Sequence, residues 1–169
     1  MAKEALKFAL MFVLLILAQV VVFNHICLFG VAIPLVFIYF VIKLPLTLGI
    51  NWVMTLSFLL GLTVDIMSNT QGMNALACTI LAVTRAPVLH LYMPRQETIS
   101  NPEISCNTVG TAVFMKYALT LCAIYCALFF IIESLTFFDP MLLALKIVSS
   151  TLLTFVVIMA FDSLASSAK

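Results

Sequence analysis

Long apolar stretches separated by short polar connections dominate this chain. An α-helix rises about 1.5 Å per residue, so roughly 20 apolar residues cross the ~30 Å hydrocarbon core of a bilayer. The stretches cover residues 5–23, 29–44, 52–67, 73–93, 112–132 and 141–161. The pattern predicts an all-α integral membrane protein, with one domain of six transmembrane helices over residues 1–169.

The second stretch differs from the others. Pro34 lies near its start, and Lys43 and Pro45 close it. It reaches the length of a span only when all of residues 29–44 are counted. Two interpretations stay open, a short tilted helix or a partly re-entrant segment that neighbouring helices shield from lipid.

Composition agrees with a lipid environment. Hydrophobic residues make up 64% of the chain and charged residues 9%, against about 25% charged in soluble domains. Membrane lipid is therefore the expected surrounding. A net charge of +1 and the lack of a basic run in the sequence argue against nucleic acid as a partner.

Charge placement predicts the orientation. Six spans put both termini on one side, and a cytoplasmic N-terminus then places seven of the eight basic residues inside, as the positive-inside rule requires. The seven are Lys3, Lys7, Lys43, Arg85, Arg95, Lys116 and Lys169. Only Lys146 falls outside. We therefore expect both termini in the cytoplasm.

A carboxylate, Asp65, lies near the end of the third stretch, at the membrane edge. Gly61, one turn before it, lets a neighbouring backbone approach closely. Asp65, with Ser68, Asn69 and Thr70, can accept hydrogen bonds from the first amides of the next helix. A contact between Asp65 and a partner or ligand is the alternative. The cap hypothesis predicts that Asp65→Asn behaves much like the wild type.

Arg85 lies about 18 Å along the fourth helix from its start. Its side chain is predicted to snorkel to the cytoplasmic headgroups, with an ion pair to Glu133 or Asp162 as the alternative. Pro87 should kink the helix near Val83.

No catalytic grouping is found in the sequence. Cys122 and Cys126 lie one helical turn apart and could supply half of a metal site, but no second Cys or His pair completes it. They are expected to be small packing residues. The sequence has no His-Glu-x-x-His, Gly-x-Ser-x-Gly or Walker motif. We therefore predict a protein that is not an enzyme and has no metal or cofactor.

Residues in the central hairpin, at the end of the fourth helix and in the fifth resemble the rod shape-determining MreD family, in what looks like its Bacteroidetes-type branch. They are Gly61, Asp65, Gly72, Ala75, Leu76, Arg85, Pro87, Pro94, Arg95, Tyr117 and Glu133. The resemblance extends over nearly the whole chain in length and helix order.

This resemblance implies a non-catalytic inner-membrane scaffold of the machinery that elongates the bacterial cell wall. The partners it implies are MreC, the actin-like MreB, the glycosyltransferase RodA and a class B penicillin-binding protein. It also implies a fold like that of the substrate-binding subunits of energy-coupling-factor vitamin transporters.

That implied fold supplies the alternative function, a small-molecule (vitamin) binding subunit. Such a subunit needs polar groups that converge in the outer half of the bundle. The candidates are Asn24, His25, Asp65, Asn69, Thr70, Gln71 and Asn74. The sequence supports a membrane-embedded enzyme less well than either of these two functions.

Overall fold

A computed structural model describes residues 2–22, 33–45, 48–93, 110–134 and 140–167, and the regular elements within them are α-helices. They are α1 (Ala2–Val21), α2 (Ile38–Lys43), α3 (Ile50–Ser68), α4 (Met73–Tyr92), α5 (Thr111–Glu133) and α6 (Pro140–Ser167). Helices α3 to α6 begin within two residues of the predicted starts at 52, 73, 112 and 141.

Four of these helices are long and apolar enough to cross a membrane, namely α3, α4, α5 and the Pro140–Leu164 part of α6. Helix α1 has 20 residues, with a shorter apolar part at Phe8–Val21. Helix α2 has only six residues and is about 9 Å long. The helices define an all-α, multi-pass membrane protein, while the count of six spans stays a prediction.

Residues 33–45 lie in the middle of the bundle, and we call them the central segment. Residues 34–44 are all buried. Phe40 packs edge-on against Phe12 of α1, with ring centroids 5.3 Å apart, and Phe37 packs in the same way against Tyr125 of α5 at 5.7 Å. Around this segment, α1 packs on α3, α3 on α4, α4 on α5 and α5 on α6.

The central segment differs from the helix predicted over residues 29–44. Residues 33–37 are not helical, and within the described part of that stretch only Ile38–Lys43 forms a helix. Pro34 removes a backbone donor near the start. Of the two interpretations, a segment shielded by its neighbours agrees with the burial. Residues 29–32 lie outside the described residues.

The outer surface of the bundle carries large apolar side chains. Trp52 and Ile66 on α3, Leu91 on α4 and Met141 on α6 are among the most exposed. Apolar groups on the outside and polar groups inside are the arrangement expected of helices surrounded by lipid.

Candidate functional site

Helices α3 and α4 touch backbone to backbone at Gly61. A Cβ atom built on Gly61 would lie 2.5 Å from Ala75 Cα and 2.5 Å from Asn74 O. Only glycine allows this contact, because any side chain would overlap the backbone of α4. The close approach predicted from Gly61 is confirmed, and Ala75, a second predicted residue, is its partner.

Gly61→Ala is expected to force α3 and α4 apart and to lower the free energy of unfolding by about 1–3 kcal/mol. The matched control is Gly49→Ala, since a Cβ at Gly49 meets no atom within 4 Å. Thermal unfolding of the purified variants in one detergent measures both. Equal midpoints for the two variants would contradict the close packing at Gly61.

The tight turn between α3 and α4 uses two residues in left-handed conformations. Asn69 has φ 53° and ends α3, with its amide bonded to Asp65 O. Gly72 has φ 79° and precedes α4. Left-handed backbone favours glycine and tolerates asparagine. The predicted residue Gly72 therefore has a conformational role in the turn that brings Asp65 to the start of α4.

The buried carboxylate of Asp65 caps α4 from the preceding helix. Oδ2 accepts a hydrogen bond from the Ala75 amide at 2.8 Å, and Oδ1 accepts one from the Asn74 amide at 3.2 Å. These amides belong to the first turn of α4, where backbone donors lack helical partners and the helix dipole favours negative charge. The contacts agree with the cap interpretation of Asp65.

Side-chain bonds extend this cap to α5. Asp65 Oδ1 also accepts hydrogen bonds from the Thr70 hydroxyl and from Asn74 Nδ2 at 2.9 Å. Asn74 Oδ1 in turn accepts a hydrogen bond from the buried Tyr125 hydroxyl at 2.6 Å. One polar network, which we call the Asp65 network, thus joins α3, α4 and α5. The other candidates in this turn, Asn69 and Gln71, are exposed.

Arg85 contradicts the prediction that its side chain snorkels to the headgroups. It is 2% exposed, and its guanidinium donates to three backbone carbonyls of the central segment. The acceptors are Val41 O at 3.1 Å from Nη1, and Leu44 O at 2.6 Å and Pro45 O at 3.3 Å from Nη2. Carbonyls at the end of a helix need such donors. Arg85 therefore fastens α2 to α4.

Side chains of α1 and α6 satisfy the non-helical backbone at the start of the central segment. Gln19 of α1 accepts from the Val36 amide at 2.8 Å and donates to Pro34 O at 3.0 Å. On α6, Ser150 accepts from the Ile33 amide at 3.1 Å and Thr154 from the Leu35 amide at 3.0 Å. Irregular backbone at membrane depth is tolerated only where protein supplies such partners.

A buried ion pair ties the other end of the central segment to α6. Lys43 Nζ is 2.5 Å from Asp162 Oδ1, and the two side chains are 11% and 0% exposed. The Tyr39 hydroxyl donates to the same oxygen at 3.1 Å. Lys43 Nζ also lies 5.5 Å from the ring centroid of Tyr39 and 5.8 Å from that of Phe114. The alternative pairing of Arg85 with Asp162 is thus wrong.

Two further predicted residues that the structure describes, Pro87 and Glu133, do not join these clusters. Pro87 lies inside α4, which continues to Tyr92. Glu133, at the end of α5, is half exposed and lies 3.9 Å from Lys146 Nζ. Pro94, Arg95, Asn24 and His25 lie outside the described residues.

The two cysteines of α5 are packing residues, as predicted. Cys122 and Cys126 are fully buried and are not in a disulfide. Among the described residues, no three His, Cys, Asp or Glu side chains are grouped so as to hold a metal ion.

The structure therefore brings Gly61, Asp65, Gly72 and Ala75 together at one end of the bundle, and it places Arg85 in the second half of α4. The sequence analysis missed the contacts that Gln19 and Asp162 make with the central segment, including the hydrogen bond from Tyr39 to Asp162. The sequence holds one indication of the Gln19 contact, because Gln19 is the only polar residue in the apolar run after Lys7.

Fold and contacts define the class of this protein as an all-α, multi-pass membrane protein with a buried irregular segment held by side chains from three surrounding helices. The chain matches no protein-family model, no curated protein and no solved structure.

Proposed function

We infer that this chain is a non-catalytic membrane scaffold of the rod shape-determining MreD type. The observation that carries this inference is the use of the polar side chains in the Asp65 network. Asp65, Thr70 and Asn74 bond one another, the start of α4 and Tyr125. These groups hold three helices in fixed positions, which suits a protein that presents a rigid surface to partners.

Further support comes from the residues that carry the family resemblance. Gly61 and Ala75 are the close contact between α3 and α4, Asp65 is the cap of α4, and Gly72 supplies the left-handed turn. These residues cooperate in one hairpin, so their common role is to maintain the fold of that hairpin. The resemblance therefore concerns the architecture of the hairpin.

The finer parts of the proposal follow from the same resemblance. They are six spans with both termini in the cytoplasm of a bacterial inner membrane, and a fold like that of the energy-coupling-factor substrate-binding subunits. MreC is the proposed direct partner. RodA, a class B penicillin-binding protein and MreB are proposed to associate together with MreC or through it.

Depletion in the native bacterium tests this function. We expect rod-shaped cells to become round, and a wild-type copy to restore the rods. Affinity purification from native membranes in mild detergent should recover MreC and wall synthases together with the tagged chain. A tagged, unrelated multi-pass protein of similar abundance is the control.

The vitamin-binding alternative predicts the opposite results. Normal cell shape after depletion, recovery of ATP-binding subunits and tight retention of a vitamin by the purified protein would overturn the scaffold proposal. In that case the polar network around Asp65 would have to rearrange around the ligand, because its groups now bond each other.

A further inference from the structure

The described helices form two groups that differ in length and in packing. Helices α3 to α6 are each long and apolar enough to cross a membrane, and consecutive members of this group pack on each other. The apolar part of α1 covers only Phe8–Val21, and α2 has six residues. We call α3 to α6 the four-helix unit, and α1 together with the central segment the N-terminal unit.

The four-helix unit has internal contacts of its own. The Asp65 network joins α3, α4 and α5, and Gly61 meets Ala75 where α3 and α4 touch. At the other side of α5, Glu133 lies 3.9 Å from Lys146 of α6. Because every helix of this unit spans and packs on the next, the unit holds itself in a membrane.

The N-terminal unit is also joined within itself. Gln19 of α1 donates to Pro34 O and accepts from the Val36 amide, and Phe12 of α1 packs edge-on against Phe40 of the central segment. A six-residue helix such as α2 is not stable alone. Helix α1 and the central segment therefore support each other.

One face of α6 is devoted to the N-terminal unit. Ser150, Thr154, Ile158 and Asp162 recur every four residues, which places them on one helix face, and all four are fully buried. Ser150 and Thr154 accept hydrogen bonds from two amides of the non-helical stretch. Asp162 pairs with Lys43 at the other end of the central segment.

Helices α4 and α5 complete a groove for the same segment. Arg85 of α4 donates to three carbonyls at the end of the segment, and Tyr125 of α5 packs edge-on against Phe37. Helix α1 packs in addition on α3. The polar contacts from α4 and α6 reach backbone groups and the Lys43 ammonium, so this groove fits a chain segment that is not fully helical.

We propose that the N-terminal unit docks as one body into this groove of the four-helix unit, and that it can leave the groove while the four-helix unit stays folded. Contiguous chain segments with contacts of their own are the units in which proteins open below global unfolding. The ligand of the groove is thus an apolar, partly non-helical peptide, supplied by the chain itself. The proposal does not depend on the scaffold function.

Cutting the full chain between the two units tests the docking. A protease site is inserted between Leu48 and Gly49, which are both exposed, and a Cβ on Gly49 meets no atom within 4 Å. The purified chain is cut in detergent and passed over a size-exclusion column. We expect the two fragments to elute together, because every contact described between the units is non-covalent.

A urea titration of the cut protein separates docking from folding. The N-terminal fragment should be released at a lower urea concentration than the one that unfolds the four-helix unit, which should stay monodisperse after the release. Release and unfolding at the same urea concentration, or aggregation of the four-helix unit once the fragment has left, would overturn the proposal.

Two double variants of the cut protein identify the docking contacts. Ser150→Ala with Thr154→Val removes the acceptors of two amides of the central segment, so it should weaken the retention of the fragment about tenfold or more. The matched control is Ser149→Ala with Thr79→Val, because these hydroxyls donate to carbonyls of their own helices. The control should retain the fragment like the wild type. Equal retention in both double variants would show that the face of α6 does not hold the N-terminal unit.

Discussion

Asp65→Leu is expected to prevent accumulation of the folded protein. The leucine leaves the amides of Asn74 and Ala75, the Asn74 side-chain amide and the Thr70 hydroxyl without their shared acceptor. Each unsatisfied buried donor costs about 1–3 kcal/mol. Their sum is comparable with the whole stability of a typical domain, which is about 5–15 kcal/mol. Size-exclusion chromatography of detergent extracts from membranes measures the folded fraction.

Asp65→Asn is expected to be intermediate, which revises the near-wild-type behaviour predicted from the sequence. Both carboxylate oxygens accept hydrogen bonds, whereas asparagine offers one acceptor and places an NH2 group at the other position. We expect the free energy of unfolding to fall by about 1–3 kcal/mol, because one hydrogen bond is lost and the new NH2 group faces another hydrogen-bond donor. The exposed Gln71 in the same turn gives the control Gln71→Leu, which should unfold like the wild type.

Two results at Asp65 would contradict this view. A leucine variant that accumulates and unfolds like the wild type would show that the cap contributes little. An asparagine variant with full stability that no longer co-purifies MreC would instead make Asp65 a partner contact.

The sequence predicted the hairpin well because its interactions are local. The groups that bond the Asp65 carboxylate lie five to ten residues further along the chain, so one turn places them. The close helix approach at Gly61 was predictable for a similar reason. Two helices joined by a tight turn are still close together next to that turn, and Gly61 lies there.

Long-range contacts explain what the sequence analysis missed. The Leu44 carbonyl that binds Arg85 is 41 residues away, and the Tyr39–Asp162 bond joins residues 123 apart. With no tertiary information, the sequence analysis placed the Arg85 charge at the headgroups, or in an ion pair with Glu133 or Asp162, and not on backbone carbonyls. The same lack of tertiary partners made residues 29–44 resemble a span, because only the side chains of α1, α4 and α6 allow an irregular segment there.

Lys43→Met is expected to lower the stability more than any change to the exposed ion pair of Lys146 and Glu133. It removes the Lys43 cation from the fully buried Asp162 carboxylate, which also accepts a hydrogen bond from the Tyr39 hydroxyl. Loss of one partner from a buried pair costs about 3–5 kcal/mol, or about 10 °C in Tm for a chain of this size. Asp162→Asn should cost less, because the amide is neutral and Lys43 keeps its contacts with the Tyr39 and Phe114 rings.

The double variant Lys43→Met, Asp162→Asn separates the pair from the rest of the fold. It removes both charges of the pair, so it should be more stable than Lys43→Met alone, in which the buried Asp162 carboxylate has lost its Lys43 partner. Lys146 and Glu133, 37% and 40% exposed, provide the control pair, and Lys146→Met or Glu133→Gln should change the stability by at most about 1 kcal/mol. Thermal unfolding of all variants in one detergent gives the double-mutant cycle. Additive losses at Lys43 and Asp162 would show that the two charges do not depend on each other, and the ion pair would then not be what holds the central segment to α6.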